Sequence, residues 1–314
     1  MISNVVRAEK TCNFLAFIII LFNTSLVKTT HLRILVVYPI SKKDEEVSEA
    51  FLSAAELNNY EEKGWIVPKW EFPQELISEM REEYKTLLER NSNLSPDIMM
   101  APHQTQGGSM GVIGSDKWLD FATHPAAMTI ARQLIGPDII LWGTTIFGKP
   151  PQNGKETPWH QDGFYYPIKP LDVLTLWIPL DDVTPENGPM KFIPGSHKTR
   201  KIFSHSWWEG KDKTINMVCD SEHLDLVNAE PLIIRAGQMS FHDVYMIHGS
   251  QANLTHRRRA AFVVRLMPAS SFYDHKLGLE IGRKHPLQGY GERPLYLVSG
   301  DDKAGNNFEI GHLN

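Results

Sequence analysis

Two cysteines, Cys12 and Cys219, are all that the 314 residues contain. They sit in unrelated contexts, which excludes a disulfide framework and a CxxC metal site and favours a reducing compartment. Charge of one sign is also missing: 32 lysines and arginines stand against 37 aspartates and glutamates, for a formal net charge of −5 and a pI near 6.2. The dense basic run from Arg257 to Arg259 is too short to be an electrostatic footprint, so nucleic acid is not an expected partner. No Rossmann glycine fingerprint, phosphate loop or internal repeat is found. The apolar run at 14–22, FLAFIIILF, falls short of the roughly 20 residues that a bilayer span needs, and no stable membrane span is expected. It follows Arg7 and Lys10 in the order of a signal peptide, yet no clear A-x-A cleavage site comes after it. A secretion signal, a membrane-associated anchor and an upstream extension compete for residues 1–45. We favour the extension, and with it a cytoplasmic location. Sequons stand at Asn23, Asn93 and Asn253.

What is present is an ordinary globular composition, 42% hydrophobic and 22% charged. The domain is expected over 46–268, with 269–314 packing on or covering it. Ser53 and Glu56 have the spacing of a capping box, and Gly64 ends the helix they open. Leu76, Ile77, Met80, Tyr84, Leu87 and Leu88 fall at helical spacing within 73–90. Two short helices follow at 117–122 and from Pro125 to Gly136. From Ile139 the pattern changes to short apolar runs broken by turn residues. Strands are predicted at 139–147, 160–165, 173–180, 190–193, 232–234, 239–250 and 258–267, and about seven or eight such strands suggest a jelly-roll sandwich or barrel. The fold class is thus α+β, helices first and a jelly roll second. The insertion at 198–230 carries His205, Trp207 and Trp208, and has the length of a lid or binding loop.

The chemistry centres on WHQD at 159–162. His160 and Asp162 are two residues apart, so on a strand both leave the same face. An imidazole beside a carboxylate makes a pair of metal ligands, and a third from another strand would complete a 2-His-1-carboxylate facial triad for iron(II). His248, in SFHDVYMIHGSQ, is the second histidine. If a hairpin turns between Asn253 and Leu254, His248 faces Arg259, and a guanidinium beside a metal ligand suits a dicarboxylate cosubstrate. A slip of one residue would bring Arg257 or Arg258 there instead. His242 and Asp243 are adjacent, point to opposite faces and read as structural or as supports behind the metal ligands. Phe164, Tyr165, Tyr166, Trp207 and Trp208 are candidate substrate contacts, with packing an equal alternative. Lys149 and Lys155 could meet an anionic substrate, although such lysines are usually solvated.

The order KPP, WHQDGFYYPI, LTLWIPLDDVTPENGPMKFIPGSHK, then HGS and a downstream arginine resembles the phytanoyl-CoA dioxygenase family of iron(II)- and 2-oxoglutarate-dependent oxygenases. The resemblance covers about 47–268. It implies a double-stranded β-helix, a cupin-like form of jelly roll, with flanking N-terminal helices. It implies that His160, Asp162 and His248 bind Fe(II), that Arg259 holds the distal carboxylate of 2-oxoglutarate, and that Thr145, Trp177 and Ser250 contact that cosubstrate. Because Asp162 is present, where halogenases of the superfamily carry a small residue, it further implies O2-dependent hydroxylation or a related oxidation of a small or medium organic molecule, with release of succinate and CO2. Two readings from other classes stand beside it: a non-catalytic jelly-roll binding or regulatory protein, and a metal-dependent hydrolase using zinc at the same ligands. The sequence names neither the substrate nor the oligomeric state.

Overall fold

The computed structural model describes residues 50–107, 111–284 and 289–312, and upstream of them the backbone of two short paired strands, β1 (Ile18–Ile19) and β2 (Leu35–Val36). The chain divides into Met1–Ser48 and Glu49–Asn314. The basic-then-apolar run and the sequon at Asn23 lie outside the described residues, apart from the backbone of Ile18–Ile19. Among the described residues no helix is long and apolar enough to cross a membrane.

In the larger unit, α1 (Ala54–Lys63) opens on the expected capping box: Ser53 accepts from the Glu56 amide and Glu56 reaches back to Ser53. Gly64 closes the helix at φ +82, a left-handed position that costs glycine little. The short strand β3 (Trp65–Ile66) follows. Helix α2 (Gln74–Arg90) buries Ile77, Met80, Tyr84 and Leu87 at the spacing of one helical face. After β4 (Ile98–Met100) come α3 (Lys117–Ala122) and α4 (Pro125–Ile135), the latter with proline in its first turn and Gly136 at its end. Sequence and structure agree on these helices because caps and a 3.6-residue stripe are local signals.

The remaining strands are β5 (Ile139–Lys149), β6 (Thr157–His160), β7 (Ile168–Lys169), β8 (Leu174–Pro179), β9 (Met190–Phe192), β10 (His205–Trp207), β11 (Met217–Cys219), β12 (Glu230–Pro231), β13 (Ser240–Asp243), β14 (His248–Ser250), β15 (Arg259–Pro268), β16 (Phe272–Tyr273) and β17 (Tyr296–Ser299). The major sheet runs β17-β5-β15-β8-β13-β3 with β4 also on β5, and the minor sheet runs β12-β9-β14-β6. All these pairings are antiparallel. Strand β15 shows how the layers are built. Its even positions Ala260, Phe262, Val264 and Leu266 join Ile77, Met80, Leu87 and Trp118 of the helices in one core. Its odd positions Ala261 and Val263 pack with Trp177, Met190 and Phe192 between the two sheets. Helices therefore cover one face of the major sheet, and the other face looks into the jelly roll.

Several expected strands are corrected. The stretch 160–165 is not a strand: β6 ends at His160 and Asp162–Tyr165 is a 3-10 turn. The run 239–250 is two strands in different sheets, broken where the Asp243 carbonyl accepts from the Met246 amide and its carboxylate from the Tyr245 amide. Val244, Met246 and Ile247 are buried all the same, which is why hydropathy alone runs the two strands together. Pairing at 232–234 lies one step earlier, at Glu230–Pro231, with one further bond from the Leu232 amide to the Met190 carbonyl. The segment after Ser270 supplies α5 (His275–Lys284) and the edge strand β17, and Tyr273, Tyr290 and Leu295 are buried with Trp142.

The sequon at Asn253 is used as a turn clamp. Its fully buried amide donates to the carbonyls of Lys149 (3.0 Å), Pro150 (3.3 Å) and Arg257 (2.7 Å), and its oxygen accepts from Thr255. No room is left for a glycan. Asn253→Ala should destabilise the fold by about 2–3 kcal/mol, since buried carbonyls lose their donor; urea unfolding measures it, and a midpoint equal to wild type would contradict the clamp.

Candidate active site

Strands β6 and β14 pair so that His160 stands directly opposite His248, their ring centroids 4.2 Å apart. Each ring is fixed from behind. Nδ1 of His160 donates to the Pro158 carbonyl (2.8 Å) and Nδ1 of His248 to the Met246 carbonyl (3.1 Å), which leaves Nε2 of both as the lone-pair nitrogen. Asp162 follows an extended Gln161 (φ −115, ψ 129), so it keeps to the side of His160 although the strand has ended. Its Oδ1 lies 3.6 Å from His160 Nε2, while Oδ2 accepts from the Thr175 hydroxyl at 3.1 Å. One donor atom from each of the three residues falls within 4.8 Å of the others. Burial alone would raise the Asp162 carboxyl, but the imidazoles of His160 and His242 beside it and the charge of Arg265 hold it well below the usual carboxylate range. Burial, with neighbouring His160, pushes His248 well below the ordinary histidine value, so it presents the neutral ring that a metal needs. Two imidazole nitrogens and one carboxylate oxygen converging from one side fit a facial iron(II) site.

The triad opens on a partly enclosed cavity walled by Phe147, Trp177, Met190 and Val263. Arg259 lines it, but not by the expected route. The hairpin across 253 and 254 is not formed: β14 pairs with β6 and β9, whereas β15 pairs with β5 and β8 in the other sheet. Arg259 reaches the cavity from across the sandwich, on the inward face of β15. Its Nη2 donates to the Gly188 carbonyl, its guanidinium lies 5.6 Å over the Trp177 ring, and its buried Nε has no hydrogen-bond partner. Burial lowers its pKa to about 10, and a buried fork with an unused edge is a place for a carboxylate. Trp177 and Ser250 also line the cavity. Thr145 is fully buried in β5, where its hydroxyl accepts from Arg265 (2.8 Å).

The sequence profile of the family described as Phytanoyl-CoA dioxygenase (PhyH) matches residues 60–261. The chain belongs to the phytanoyl-CoA dioxygenase family. As a member it is an iron(II)- and 2-oxoglutarate-dependent dioxygenase, with the His-Asp-His triad in place. It is 27% identical over 237 residues to the probable phytanoyl-CoA dioxygenase of Caenorhabditis elegans, covering 68% of this chain and 74% of that protein. It is 32% identical over 176 residues to the probable alpha-ketoglutarate-dependent hypophosphite dioxygenase of Stutzerimonas stutzeri, covering 54% of this chain and 56% of that one. Its fold is similar to that of EctD from Sphingopyxis alaskensis, solved with 2-oxoglutarate and 5-hydroxyectoine: TM-score 0.58 at 20% identity, over 71% of this chain and 78% of the other.

Around the His160, Asp162 and His248 triad stand residues whose roles were not legible in the motifs. His242, read as structural or as a support behind the ligands, lines the cavity with Nε2 3.7 Å from Asp162 Oδ2. Arg265 lines it too, and the signal for it was present, since it lies six residues beyond Arg259 on the same strand and hence on the same face. Gln161 points away from the metal site and is fully bonded. It donates to the carbonyls of Lys201 (3.0 Å) and Tyr245 (2.8 Å) and accepts from the Phe203 amide (2.8 Å). One amide thus ties the insertion to the metal loop. Leu226 and Ala229 of that insertion wall an adjoining cleft, which shares Thr157, Gly249 and Ser250 with the cavity. Of the aromatic candidates, Phe164, Trp207 and Trp208 are exposed, and among the described residues none lines the cavity. Lys155 pairs with Asp97 at 2.8 Å. Lys149 is buried rather than solvated; it donates to the Lys155 carbonyl and sits opposite Arg259 in the ladder.

Two outcomes follow from these contacts. Gln161→Ala should cost about 2–3 kcal/mol and speed amide exchange at 201–205 before the rest of the domain, as mass-detected hydrogen exchange would show. Uniform exchange across the domain would refute the tie. Burial, with the charge of Arg259, lowers Lys149 to about 6. Between that value and the ordinary 10.5, the unfolded chain holds a proton that the folded one lacks, so stability rises with pH over that window. Lys149→Met should flatten the rise, measured as urea midpoints at pH 6.5 and 9; an unchanged slope would place the lysine in water.

Proposed function

We propose that His160, Asp162 and His248 hold iron(II), that Arg259 takes the distal carboxylate of 2-oxoglutarate, and that the chain hydroxylates a small or medium-sized organic molecule. The observation carrying this is one cavity with three convergent ligand atoms at one side and, at the other, a buried guanidinium whose Nε has no partner. With iron bound there, the chemistry it would supply is activation of O2, the oxidant: one oxygen atom would enter succinate as 2-oxoglutarate loses CO2, and the other a C–H bond of the substrate. The protein's share is orientation and exclusion of water. Backbone carbonyls fix both imidazoles, Thr175 keeps one carboxylate oxygen of Asp162 occupied so that the other would be free to hold the metal, and Trp177 with Val263 walls the space between triad and Arg259. Trp177 and Ser250 are the remaining candidate contacts for the cosubstrate, and Thr145 supports the site through Arg265. The hypophosphite dioxygenase relative keeps small oxyacids among the substrates to be screened.

Anaerobic titration of iron(II)-loaded protein with 2-oxoglutarate, read by visible charge-transfer absorption, tests the assignment. Wild type should saturate, and Arg259→Ala should bind at least about 30-fold more weakly, the loss of a charged hydrogen-bonded pair worth about 2–3 kcal/mol. A folded, iron-loaded wild type without the band would remove the cosubstrate. His160→Ala and Asp162→Ala should each abolish succinate release while circular dichroism stays native; turnover in both would sink the triad.

A further inference from the structure

Two guanidinium groups line the cavity, and 2-oxoglutarate accounts for one. Arg265 lies three inward positions beyond Arg259 on β15, roughly 20 Å along the strand. In the ladder it stands between Gly143 of β5 and Thr175 of β8, and Thr175 is the residue that holds Asp162. Arg265 therefore belongs to the Asp162 side of the cavity. It is 8% exposed. Its Nε donates to the Tyr166 hydroxyl at 2.7 Å and its Nη1 to the Thr145 hydroxyl at 2.8 Å. Both partners are neutral, and among the described residues no carboxylate pairs with it; Asp162 acts on it at longer range. A guanidinium carries five N–H donors, so most of the fork remains unused.

Charge counting sharpens the point. The ionised side chains lining the cavity are Asp162, Arg259 and Arg265, which sum to one positive charge. Iron(II) and the 2-oxoglutarate dianion cancel each other and leave that charge standing. A buried cation without a counter-ion is costly, and a planar fork accepts an oxyanion in two parallel hydrogen bonds. The two neutral hydroxyls orient the guanidinium without neutralising it.

We propose that Arg265 anchors an acidic group of the substrate to be oxidised, a carboxylate or a phosphorus oxyacid, on the Asp162 side of the cavity. The proposal rests on Arg259 being the 2-oxoglutarate residue. The acidic group fixes which C–H bond of the substrate comes nearest the metal, so Arg265 sets substrate class and position of attack.

The full chain, loaded anaerobically with iron(II) and saturating 2-oxoglutarate, is titrated with butyrate, methylphosphonate and the neutral butyramide, following the charge-transfer band and the heat of binding. Saturating cosubstrate keeps the probes off Arg259. At least one anion should bind saturably, with butyramide at least tenfold weaker, and the tighter anion identifies the acid. Arg265→Gln should lose at least tenfold in anion affinity while its 2-oxoglutarate band persists, and Arg265→Lys should recover part of the loss. Failure of both anions in wild type, equal binding of butyramide, or wild-type anion affinity in Arg265→Gln would overturn the proposal. Loss of the 2-oxoglutarate band in Arg265→Gln would also overturn it, by placing Arg265 in the cosubstrate site. If Arg265→Gln does not fold, the wild-type contrast between butyrate and butyramide and the Arg265→Lys affinity still decide. A wild type with a normal band and no anion binding ends this inference alone; a wild type with no band ends the cosubstrate reading as well.

Discussion

The register between β6 and β14 is the constraint on which the site depends. His160 faces His248 only in that alignment, and because side chains alternate across a strand, a slip of one residue would turn one imidazole out of the cavity. The alignment needs the strands close together. A Cβ on Gly249 would meet the Trp159 amide nitrogen at 3.1 Å and the Pro158 carbonyl carbon at 3.2 Å, so glycine between His248 and Ser250 permits the approach. The same segment carries the carbonyls of Pro158 and Met246 that fix the two rings. Strand pairing and ligand tautomer are therefore set together, before any metal is bound.

The polar side chains of the cavity come from both sheets, His160 and His248 from the minor and Thr175, Arg259 and Arg265 from the major. Strand β15 passes through an apolar core on its even positions, yet its odd positions begin with Arg259 and reach Arg265. Each buried cation is supported by dipoles of the fold: the Gly188 carbonyl at Arg259, and the hydroxyls of Thr145 and Tyr166 at Arg265. Asp162 is the only carboxylate among the described residues that line the cavity. Two inward arginines against one aspartate leave desolvated positive charge in the cavity, which weighs against stability until an anion neutralises it.

What the sequence made legible follows the range of each interaction. The capping box at Ser53, the stripe of α2 and the HxD pair are local, and each stands where spacing placed it. The partition of strands between sheets is not local. The run at 239–250, MSFHDVYMIHGS, holds no proline and no glycine before Gly249, and only the turn closed by Asp243 divides it, so a single strand and a hairpin were the natural and wrong expectation. Arg259 survived that error because a sandwich brings two sheets to one cavity; its inward face mattered, and its partner strand did not. Gln161 could not be read at all. Its role depends on Lys201, Phe203 and Tyr245, which are 40 or more residues away in sequence.

The insertion at 198–230 shows why that long-range tie matters for function. Gln161 lies between His160 and Asp162, and its side chain leaves on the opposite side from theirs. Its bonds to Lys201 and Phe203, with the Gln161 amide donating to His205 Nε2 at 3.1 Å, attach the insertion at the point where the site is built. The far end of the same insertion walls the cleft beside the cavity. Leu226 and Ala229 thus belong to a segment anchored at Gln161, one residue from both His160 and Asp162. Loop sequence can change to suit a new substrate while that anchor keeps the metal loop in register, which is how a fixed chemistry and a variable specificity share one strand end.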